Sequence, residues 1–278
     1  MKINIAKHCG FCTGVNRAIN MAEEALKTYG KVAVTGDLVH NKIVMDELKN
    51  KGLVFVKSLD EVKDMPLLLR AHGTDKNFVK KAEELGLLII DATCPLVKEI
   101  HKHAIELEKD NRQVIIIGDE KHDEVIGIVS QIKEVCIISK AEDLENCSIK
   151  QRSGVVIQST QRIENVKEIV SCLLTKSRDC RIINTICEPT RRNQKEIRKL
   201  AKGNDCVIVV GDKTSANSSR LVEVAKSING NACLVSSPAD LDITWLRNCR
   251  SLGISAGAST PKKLIDNVIN EIKNIMEI

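Results

Sequence analysis

Aromatic side chains are almost missing from this sequence. Phe, Tyr and Trp together make up 2% of its 278 residues. Modules that bind single-stranded nucleic acid stack bases on aromatic rings, so this scarcity argues against a nucleic-acid partner. Because 43% of the residues are hydrophobic, the core must be packed mainly from aliphatic side chains. The net charge of +5 is compatible with an anionic ligand, although a solvated basic surface is its commoner cause.

The sequence also lacks long apolar segments. No stretch approaches the roughly 18 apolar residues of a membrane span, and the opening residues K-I-N-I-A-K have no apolar signal region. We therefore expect a cytoplasmic protein without a membrane partner. Eleven cysteines are many for a reducing compartment, where disulfides are rare. We expect Cys136, Cys206 and Cys233, which lie in or beside apolar runs, to be small buried hydrophobic residues.

Short β-rich runs alternate with amphipathic segments along the chain. The predicted strands are 2–6, 32–35, 54–56, 67–70, 87–90, 114–117 and 207–210, and the predicted helices are 15–29, 75–85, 97–110 and 194–202. Strands that alternate with helices predict βαβ units with parallel pairing. The predicted fold class is therefore α/β.

A threefold internal repeat is the strongest pattern in the sequence. Cys12, Cys94 and Cys187 each follow a strand-like run, and each is followed 24 residues later by the glycine of a Gly-Asp pair, at Gly36, Gly118 and Gly211. Four residues past these glycines lie His40, His122 and Ser215. The repeat predicts three α/β units, at residues 1–86, 87–180 and 181–278. Since ligands of parallel α/β sheets bind at the carboxyl ends of strands, the three units can aim their cysteines at one point.

Three converging thiolates suit zinc, copper(I) or an iron–sulfur cluster. A 4Fe–4S cluster normally takes four cysteines. With three cysteines, one iron keeps an open coordination position for a substrate oxygen, as catalytic metal sites do. A separate C-x-x-C pair, Cys9 and Cys12, resembles a thiol–disulfide site. We interpret Cys9 as a spare thiol, because neither Cys94 nor Cys187 has a cysteine three positions earlier.

Motifs along the whole chain resemble one known family. The segments G-F-C-T-G-V-N-R-A-I, L-V-H-N, D-A-T-C-P-L-V, G-D-E-K-H-D-E-V, Q-S-T, T-I-C, N-S-S-R-L and A-G-A-S-T-P occur in that order. They are similar to the LytB (IspH) family of 4-hydroxy-3-methylbut-2-enyl diphosphate reductases. The resemblance implies a trefoil of three pseudo-threefold-related units with small parallel sheets around a central 4Fe–4S cluster. It also implies reductive removal of an allylic hydroxyl, which yields isopentenyl and dimethylallyl diphosphate.

The resemblance assigns roles to individual residues. It makes Cys12, Cys94 and Cys187 the cluster ligands and Glu124 the proton donor, with Ser159 and His122 beside it. It places the following residues at the substrate: His40, His72, His122, Ser159, Thr190, Ser215, Ala216, Asn217 and Ser259. Ser159 stands where a threonine is usual, with Thr160 as a second candidate, and Ala216 replaces a serine that commonly binds phosphate.

Simpler roles compete with several of these assignments. Ser215 and Asn217 are common helix-capping residues, and Glu124 could be a favourable carboxylate in a first helical turn. His8, His101 and His103 lack the repeat pattern and are expected on the surface or at helix caps. A zinc enzyme, a radical-type enzyme and a non-enzymatic iron–sulfur sensor remain alternative functions. No G-x-G-x-x-G follows a strand, which argues against a nicotinamide site, so we expect a ferredoxin or flavodoxin as electron donor.

Overall fold

The computed structural model describes residues 1–247 and 249–277. Its strands are Lys2–Ile5 (β1), Val32–Val34 (β2), Leu53–Phe55 (β3), Leu67–Leu69 (β4), Ile89–Asp91 (β5), Gln113–Ile117 (β6), Val135–Ile138 (β7), Arg152–Ile157 (β8), Asp179–Ile182 (β9), Cys206–Val210 (β10), Ala232–Val235 (β11) and Ser251–Ala256 (β12). Its helices are Thr13–Tyr29 (α1), Lys42–Asn50 (α2), Lys76–Glu84 (α3), Pro95–Lys109 (α4), Asp123–Val129 (α5), Ile163–Leu173 (α6), Glu188–Gly203 (α7), Ala216–Lys226 (α8), Ile243–Leu246 (α9) and Lys262–Glu277 (α10).

The strands form three four-stranded sheets. Their orders are β3-β2-β4-β5, β7-β6-β8-β9 and β11-β10-β12-β1, and every pair in them is parallel. The predicted α/β class with small parallel sheets is confirmed. Parallel strands need crossover connections, which the intervening helices and loops supply.

The repeat seen in the sequence recurs in the strand order. In each sheet the strand that leads to one of the three cysteines lies at an edge: β5 before Cys94, β9 before Cys187 and β1 before Cys12. The glycines of the Gly-Asp pairs each follow an inner strand, namely β2, β6 or β10. Equivalent residues therefore leave their sheets at equivalent carboxyl ends.

The described chain falls into two compact units. We call residues 1–16, 40–45 and 188–278 the terminal unit, and residues 17–39 and 46–187 the middle unit. The terminal unit holds the sheet with β1, β10, β11 and β12, whereas the middle unit holds the other two sheets. The division at residues 1–86, 87–180 and 181–278 stays a prediction.

Close packing of an aliphatic side chain on a glycine fixes α4 against β8 in the middle unit. Leu107 is fully buried, and a methyl group added at Gly154 would lie 2.6 Å from its Cδ2 atom. Real carbon–carbon contacts are longer, so Gly154 lets the helix approach the sheet. The strands β6 and β8 contribute Val114, Ile116 and Val156 to the same core cluster.

We expect the effects of substitutions at Leu107 and Gly154 on the free energy of unfolding to be strongly coupled. Leu107→Ala should lower the free energy of unfolding by about 2–5 kcal/mol through a cavity, and Gly154→Ala by about 1–3 kcal/mol through overpacking. The double variant should lose less than the sum of the two, because the cavity accepts the new methyl group. Urea unfolding of the three variants measures this coupling, and strictly additive losses would contradict the packing described here.

Three sequence-based expectations need correction. Helix α7 begins at Glu188 rather than at residue 194, because proline is tolerated in a first helical turn and Pro189 is its second residue. Cys136 is buried as expected, but it is bonded to Cys147 in a disulfide. Cys233 is only half-buried, whereas Cys206 is buried.

Among the described residues, no helix is both long enough and apolar enough to cross a membrane.

Candidate active site

A buried carboxyl group lies at the start of α5 in the middle unit. Glu124 is 3% exposed and is the second residue of that helix. The backbone N–H of Ser159 donates to its Oε1 at 2.6 Å, and the Ser159 hydroxyl donates to its Oε2 at 2.7 Å. Ser159 lies just beyond the end of β8, so two strand ends bring together residues 35 positions apart.

Burial dominates the protonation of this carboxyl group. It raises the pKa of Glu124 above its usual range, against the two hydrogen bonds from Ser159, which favour the charged form. A carboxyl group with a raised pKa holds its proton nearer to neutral pH, as a general acid requires. The Thr160 hydroxyl instead accepts a hydrogen bond from Gln158 Nε2 at 3.1 Å. Ser159, not Thr160, is therefore the residue in contact with Glu124.

His122 caps α5 and is fixed in one tautomer by the helix. The backbone N–H of Glu124 donates to His122 Nδ1 at 3.1 Å. A neutral His122 therefore carries its proton on Nε2, which leaves that atom as a donor. The ring of His72 lies edge-on to it, with ring centroids 6.4 Å apart.

Asp123 holds two basic side chains that follow β4. Its Oδ1 lies 3.0 Å from Arg70 Nη1, and its Oδ2 lies 3.2 Å from Nε2 of the buried His72. The motif L-L-R-A-H-G and the run H-D-E contain these residues, but their spacing in sequence does not indicate the contact. Arg70 and Asp123 are thus positioning residues that the sequence did not single out.

Cys187 is tied to the same strand end as Glu124. Its backbone N–H donates to the Ser159 carbonyl at 3.1 Å. Two residues earlier, the Thr185 hydroxyl accepts from Ile157 N at 2.7 Å and also bonds the Ile157 carbonyl. Ser159 therefore contacts the buried carboxyl with its N–H and hydroxyl and positions a predicted cluster ligand with its carbonyl.

Cys94 stands at the N-terminus of α4 in the middle unit. Pro95 opens the helix, and Cys94 is its N-cap residue. The Cys94 N–H donates to the Ala71 carbonyl at 2.8 Å. This bond fixes Cys94 beside the residue that precedes His72. The first turn of α4 therefore begins directly after this predicted cluster ligand.

Cys12 stands at the start of α1 in the terminal unit. Its N–H donates to the Ala258 carbonyl at 2.9 Å, and Val15 N–H donates to its Sγ at 3.4 Å. The hydrogen bond from Val15 helps to fix the position of the sulfur atom. The contact with Ala258 places Cys12 next to Ser259 in the loop after β12.

Polar groups of the terminal unit meet around the start of α8. Ser215 caps that helix, and Ser215, Asn217 and Ser259 are nearly fully buried. The Ser259 hydroxyl donates to the His40 carbonyl at 3.0 Å and lies 3.5 Å from the Ser215 hydroxyl. Asn217 Nδ2 is buried and has no hydrogen-bond partner among the described residues. A buried amide donor without a partner is costly unless a ligand oxygen accepts from it.

Asp212 orders the loop that carries His40. Its Oδ2 accepts from Lys42 N at 3.0 Å, and its Oδ1 accepts from Thr214 N at 2.9 Å. Partial burial works to raise the pKa of Asp212, but these hydrogen bonds outweigh it and lower the pKa. The sequence shows Asp212 in a Gly-Asp pair but does not indicate this role.

Two further predicted substrate residues lie at helix starts. Ala216 is the first residue of α8, and Thr190 is buried in the first turn of α7.

The environment of Cys9 opposes a redox role. Its thiol donates to the Ala6 carbonyl at 3.6 Å and packs against the core of the terminal unit. Burial, followed by the charges of Glu196 and Asp266, raises the pKa of the Cys9 thiol. Reactive thiols have lowered pKa values, so the interpretation as a spare thiol is favoured.

The remaining histidines differ in their surroundings. His8 is exposed beside Glu196, and His103 pairs with Glu106 at 3.1 Å, as expected for surface residues. His101 is not a surface residue: it is partly buried, and a methyl group at Gly73 or Gly127 would lie 3.4 Å from its ring. Burial lowers the pKa of His101 to about 4, so it is neutral at physiological pH.

The donor chemistry of the cysteines fits an iron–sulfur cluster. Cys12, Cys94 and Cys187 are all outside disulfides and only partly buried. Each lies at the start of a helix, and soft thiolate ligands select such clusters, zinc or copper(I). The residues therefore fit the group that the sequence predicts.

Comparisons with known proteins cover nearly the whole chain. Residues 3–273 match the family described as LytB protein. A curated 4-hydroxy-3-methylbut-2-enyl diphosphate reductase of Geobacter metallireducens is 37% identical over 99% of this chain and 98% of its own. A second, from Pelobacter propionicus, is also 37% identical, over 99% of both chains.

Solved structures agree with these sequence relatives. The E-1-hydroxy-2-methyl-but-2-enyl-4-diphosphate reductase from Plasmodium falciparum superposes with a TM-score of 0.93 at 31% identity, covering 97% of this chain and 87% of its own. Another structure, of (E)-4-hydroxy-3-methyl-but-2-enyl diphosphate reductase, has a TM-score of 0.70 at 33% identity over 99% and 100% of the two chains. The family resemblance carried by the cysteine and histidine motifs is confirmed, and the chain belongs to the LytB protein family.

Proposed function

We propose that this LytB-family reductase converts 4-hydroxy-3-methylbut-2-enyl diphosphate to isopentenyl and dimethylallyl diphosphate, the last step of the non-mevalonate isoprenoid pathway. The reaction takes up two electrons and two protons, breaks the allylic C–O bond and releases the hydroxyl as water. The chain must therefore hold a diphosphate, deliver a proton and receive electrons. Its residues can be assigned to these tasks one by one.

The proposal rests mainly on the buried, hydrogen-bonded carboxyl group of Glu124. Hydroxide is a poor leaving group, so the C–O bond breaks readily only when a proton reaches its oxygen. Glu124 is buried, its pKa is raised by that burial, and Ser159 holds both of its oxygens. We assign proton delivery to this carboxyl group, with the Ser159 hydroxyl and His122 positioned to orient it.

We infer a 4Fe–4S cluster held by three cysteines, Cys12, Cys94 and Cys187. When bound, the cluster would supply the two electrons that the reduction needs. In the chain itself, Ser159 connects Cys187 to Glu124 through its carbonyl and hydroxyl. Electron donation and proton delivery are thus assigned to groups positioned by one residue. A ferredoxin or flavodoxin remains our proposed electron donor.

We assign the diphosphate to neutral and cationic donors at strand ends. In the terminal unit these are His40, Ser215, Asn217 and Ser259, together with the backbone N–H groups at the start of α8. Helix N-termini suit phosphate because their N–H groups and dipole both face the anion. In the middle unit the assigned donors are His72 and His122, the former held by Asp123.

Anaerobic purification and assay test the function directly. We expect a brown protein with iron and acid-labile sulfide, and turnover of the diphosphate alcohol with reduced methyl viologen. Zinc in place of iron would overturn the cofactor assignment. An intact cluster without turnover of the alcohol would support a sensor and overturn the enzymatic proposal.

The diphosphate assignment makes a separate prediction. His40→Ala, His72→Ala and Asn217→Ala should each weaken binding of substrate and of inorganic diphosphate, by about tenfold or more. This follows because a hydrogen bond to a charged group contributes roughly 1.5–3 kcal/mol. His103→Ala and Asn274→Ala, on the surfaces of α4 and α10, are matched controls and should bind normally. Titration calorimetry with unchanged affinity in all three site variants would refute the assignment.

A further inference from the structure

One helix carries most of the net charge of the chain. Helix α7 contains six Lys and Arg residues and two Glu residues, a net charge of +4, whereas the whole chain has a net charge of +5. The other helices that follow a predicted cluster cysteine are neutral. Helix α4 has three basic and three acidic residues, and α1 has two of each. The excess is therefore specific to α7, not a general property of these helices.

Four of the six basic side chains of α7 form an exposed stripe. Arg192, Lys195, Lys199 and Lys202 are exposed and spaced by three, four and three residues, which places them on one face. The opposite face, with Asn193, Ile197 and Ala201, is buried. None of the four stripe residues makes an ion pair with any described residue.

Charges on α4 are arranged differently. Lys98 lies 2.5 Å from Asp91, and Lys102 lies 3.8 Å from Glu106. Two of the three lysines of α4 are thus neutralised locally. Four like charges in a row on α7 repel one another, so the arrangement is unfavourable for the isolated helix and would be relieved by an anionic partner.

The stripe begins next to a proposed cluster ligand. Helix α7 starts at the residue after Cys187, and Arg192 lies five residues beyond that cysteine. A helix rises about 1.5 Å per residue, so Arg192, the first residue of the stripe, is less than about 10 Å from Cys187 along the helix axis. A protein docked on this end of the stripe would bring its own redox centre close to Cys187.

We propose that the basic stripe of α7 is the docking surface for a small acidic electron-carrier protein. The proposal rests on the proposed function, because only a reductase with a cluster at Cys187 needs such a carrier. Each encounter passes one electron from the carrier to the cluster, so two encounters supply the reduction of one substrate molecule. Such complexes are small and transient, and charge attraction between the partners speeds their encounter without tight binding.

Charge reversal on the stripe tests the proposal in the holoenzyme. Lys195→Glu/Lys199→Glu is compared with Lys102→Glu/Lys109→Glu on α4, which changes the net charge equally. The probe is an acidic bacterial ferredoxin, reduced and mixed anaerobically with oxidised holoenzyme in a stopped-flow instrument. At low ionic strength the second-order rate of electron transfer should fall about tenfold or more for the α7 variant only. The difference should shrink as salt screens the charges.

Two further measurements separate this proposal from others. Reduced methyl viologen, a small cation, should reduce the cluster of the α7 variant no more slowly than that of the parent. Ferredoxin rates that are unchanged by the α7 variant, or lowered equally by the α4 variant, would overturn the docking surface. Unchanged ferredoxin rates combined with salt-sensitive binding of a mixed-sequence RNA, lost in the α7 variant, would assign the stripe to nucleic acid instead. A holoenzyme that accepts electrons but does not reduce the alcohol would overturn the proposed function and leave the docking result intact.

Discussion

Glu124→Gln should lower the rate of substrate reduction about 10²–10⁴-fold, the usual contribution of a general acid. Glutamine keeps the shape of the side chain: its oxygen can accept from the Ser159 N–H, and its NH2 group can donate to the Ser159 hydroxyl oxygen. It has no acidic proton to deliver. Because Glu124 is buried without an ion pair to any described residue, the neutral amide leaves no partner charge uncompensated. We therefore expect the folded protein, its iron content and its affinity for the substrate to stay near those of the parent.

The pH dependence gives the prediction a second readout. Burial raises the pKa of Glu124, so folding favours the protonated form relative to the unfolded chain. The rate of the parent should therefore fall as the pH rises through that raised pKa, and this alkaline decline should disappear in Glu124→Gln. The same sign applies to stability: the contribution of the protonated carboxyl is complete below the ordinary pKa and is lost as the pH rises through the raised one.

A nearby exposed carboxylate provides the control. Glu120 lies in the loop that leads into α5, four residues before Glu124, and its side chain is exposed. Glu120→Gln should leave both the rate and its pH profile unchanged. Single-turnover kinetics on the reduced variants measure the chemical step without the electron donor. A Glu124→Gln variant that turns over at the parent rate would eliminate this residue as the proton donor, and His122 would be the next candidate.

Replacing any one of the three repeat cysteines should remove most of the cluster. In Cys12→Ser, Cys94→Ser and Cys187→Ser a hard hydroxyl, which does not ionise at neutral pH, replaces a soft thiolate ligand. Loss of a direct ligand should exceed the roughly 10–100-fold effects seen when only the surroundings of a metal ligand are changed. Iron and sulfide per chain should therefore drop sharply, and activity should fall more than about 100-fold.

Cys9→Ser is the matched control for the cysteine series. Cys9 lies three residues before Cys12, but its thiol faces the Ala6 carbonyl and the core of the terminal unit. This variant should keep its iron and its activity. Loss of activity in Cys9→Ser with retention in Cys187→Ser would favour a C-x-x-C redox site over the cluster.

Periodic features of the fold were predictable from the sequence. Alternating apolar runs located most strands within one or two residues, because side-chain spacing in strands and helices is local information. The cysteine-to-glycine spacing also located the three strand ends that carry equivalent residues. The start of α7 was placed at residue 194, six residues too late, whereas the helix begins at Glu188 and includes Pro189 in its first turn, where proline is tolerated.

Several contacts at the candidate site were not predictable in this way. The interaction of Asp123 with both Arg70 and His72 joins residues about 50 positions apart, and no repeat spacing points to it. The burial of His101 likewise follows from its packing near Gly73 and Gly127, which the helical pattern of α4 does not specify. The pairing of Cys136 with Cys147 depends on how β7 meets the loop before β8.

The sequence by itself determined the α/β class, the three repeated cysteines, the family and the identity of Glu124 as a candidate donor. Only the tertiary structure decided that Ser159 rather than Thr160 holds Glu124, that the carboxyl is buried, and that Asn217 keeps an unpartnered donor. The physical reason is that motifs record which groups are present and at what spacing. Protonation and hydrogen-bond satisfaction depend instead on the solvent exclusion and neighbours that distant segments create when the chain folds.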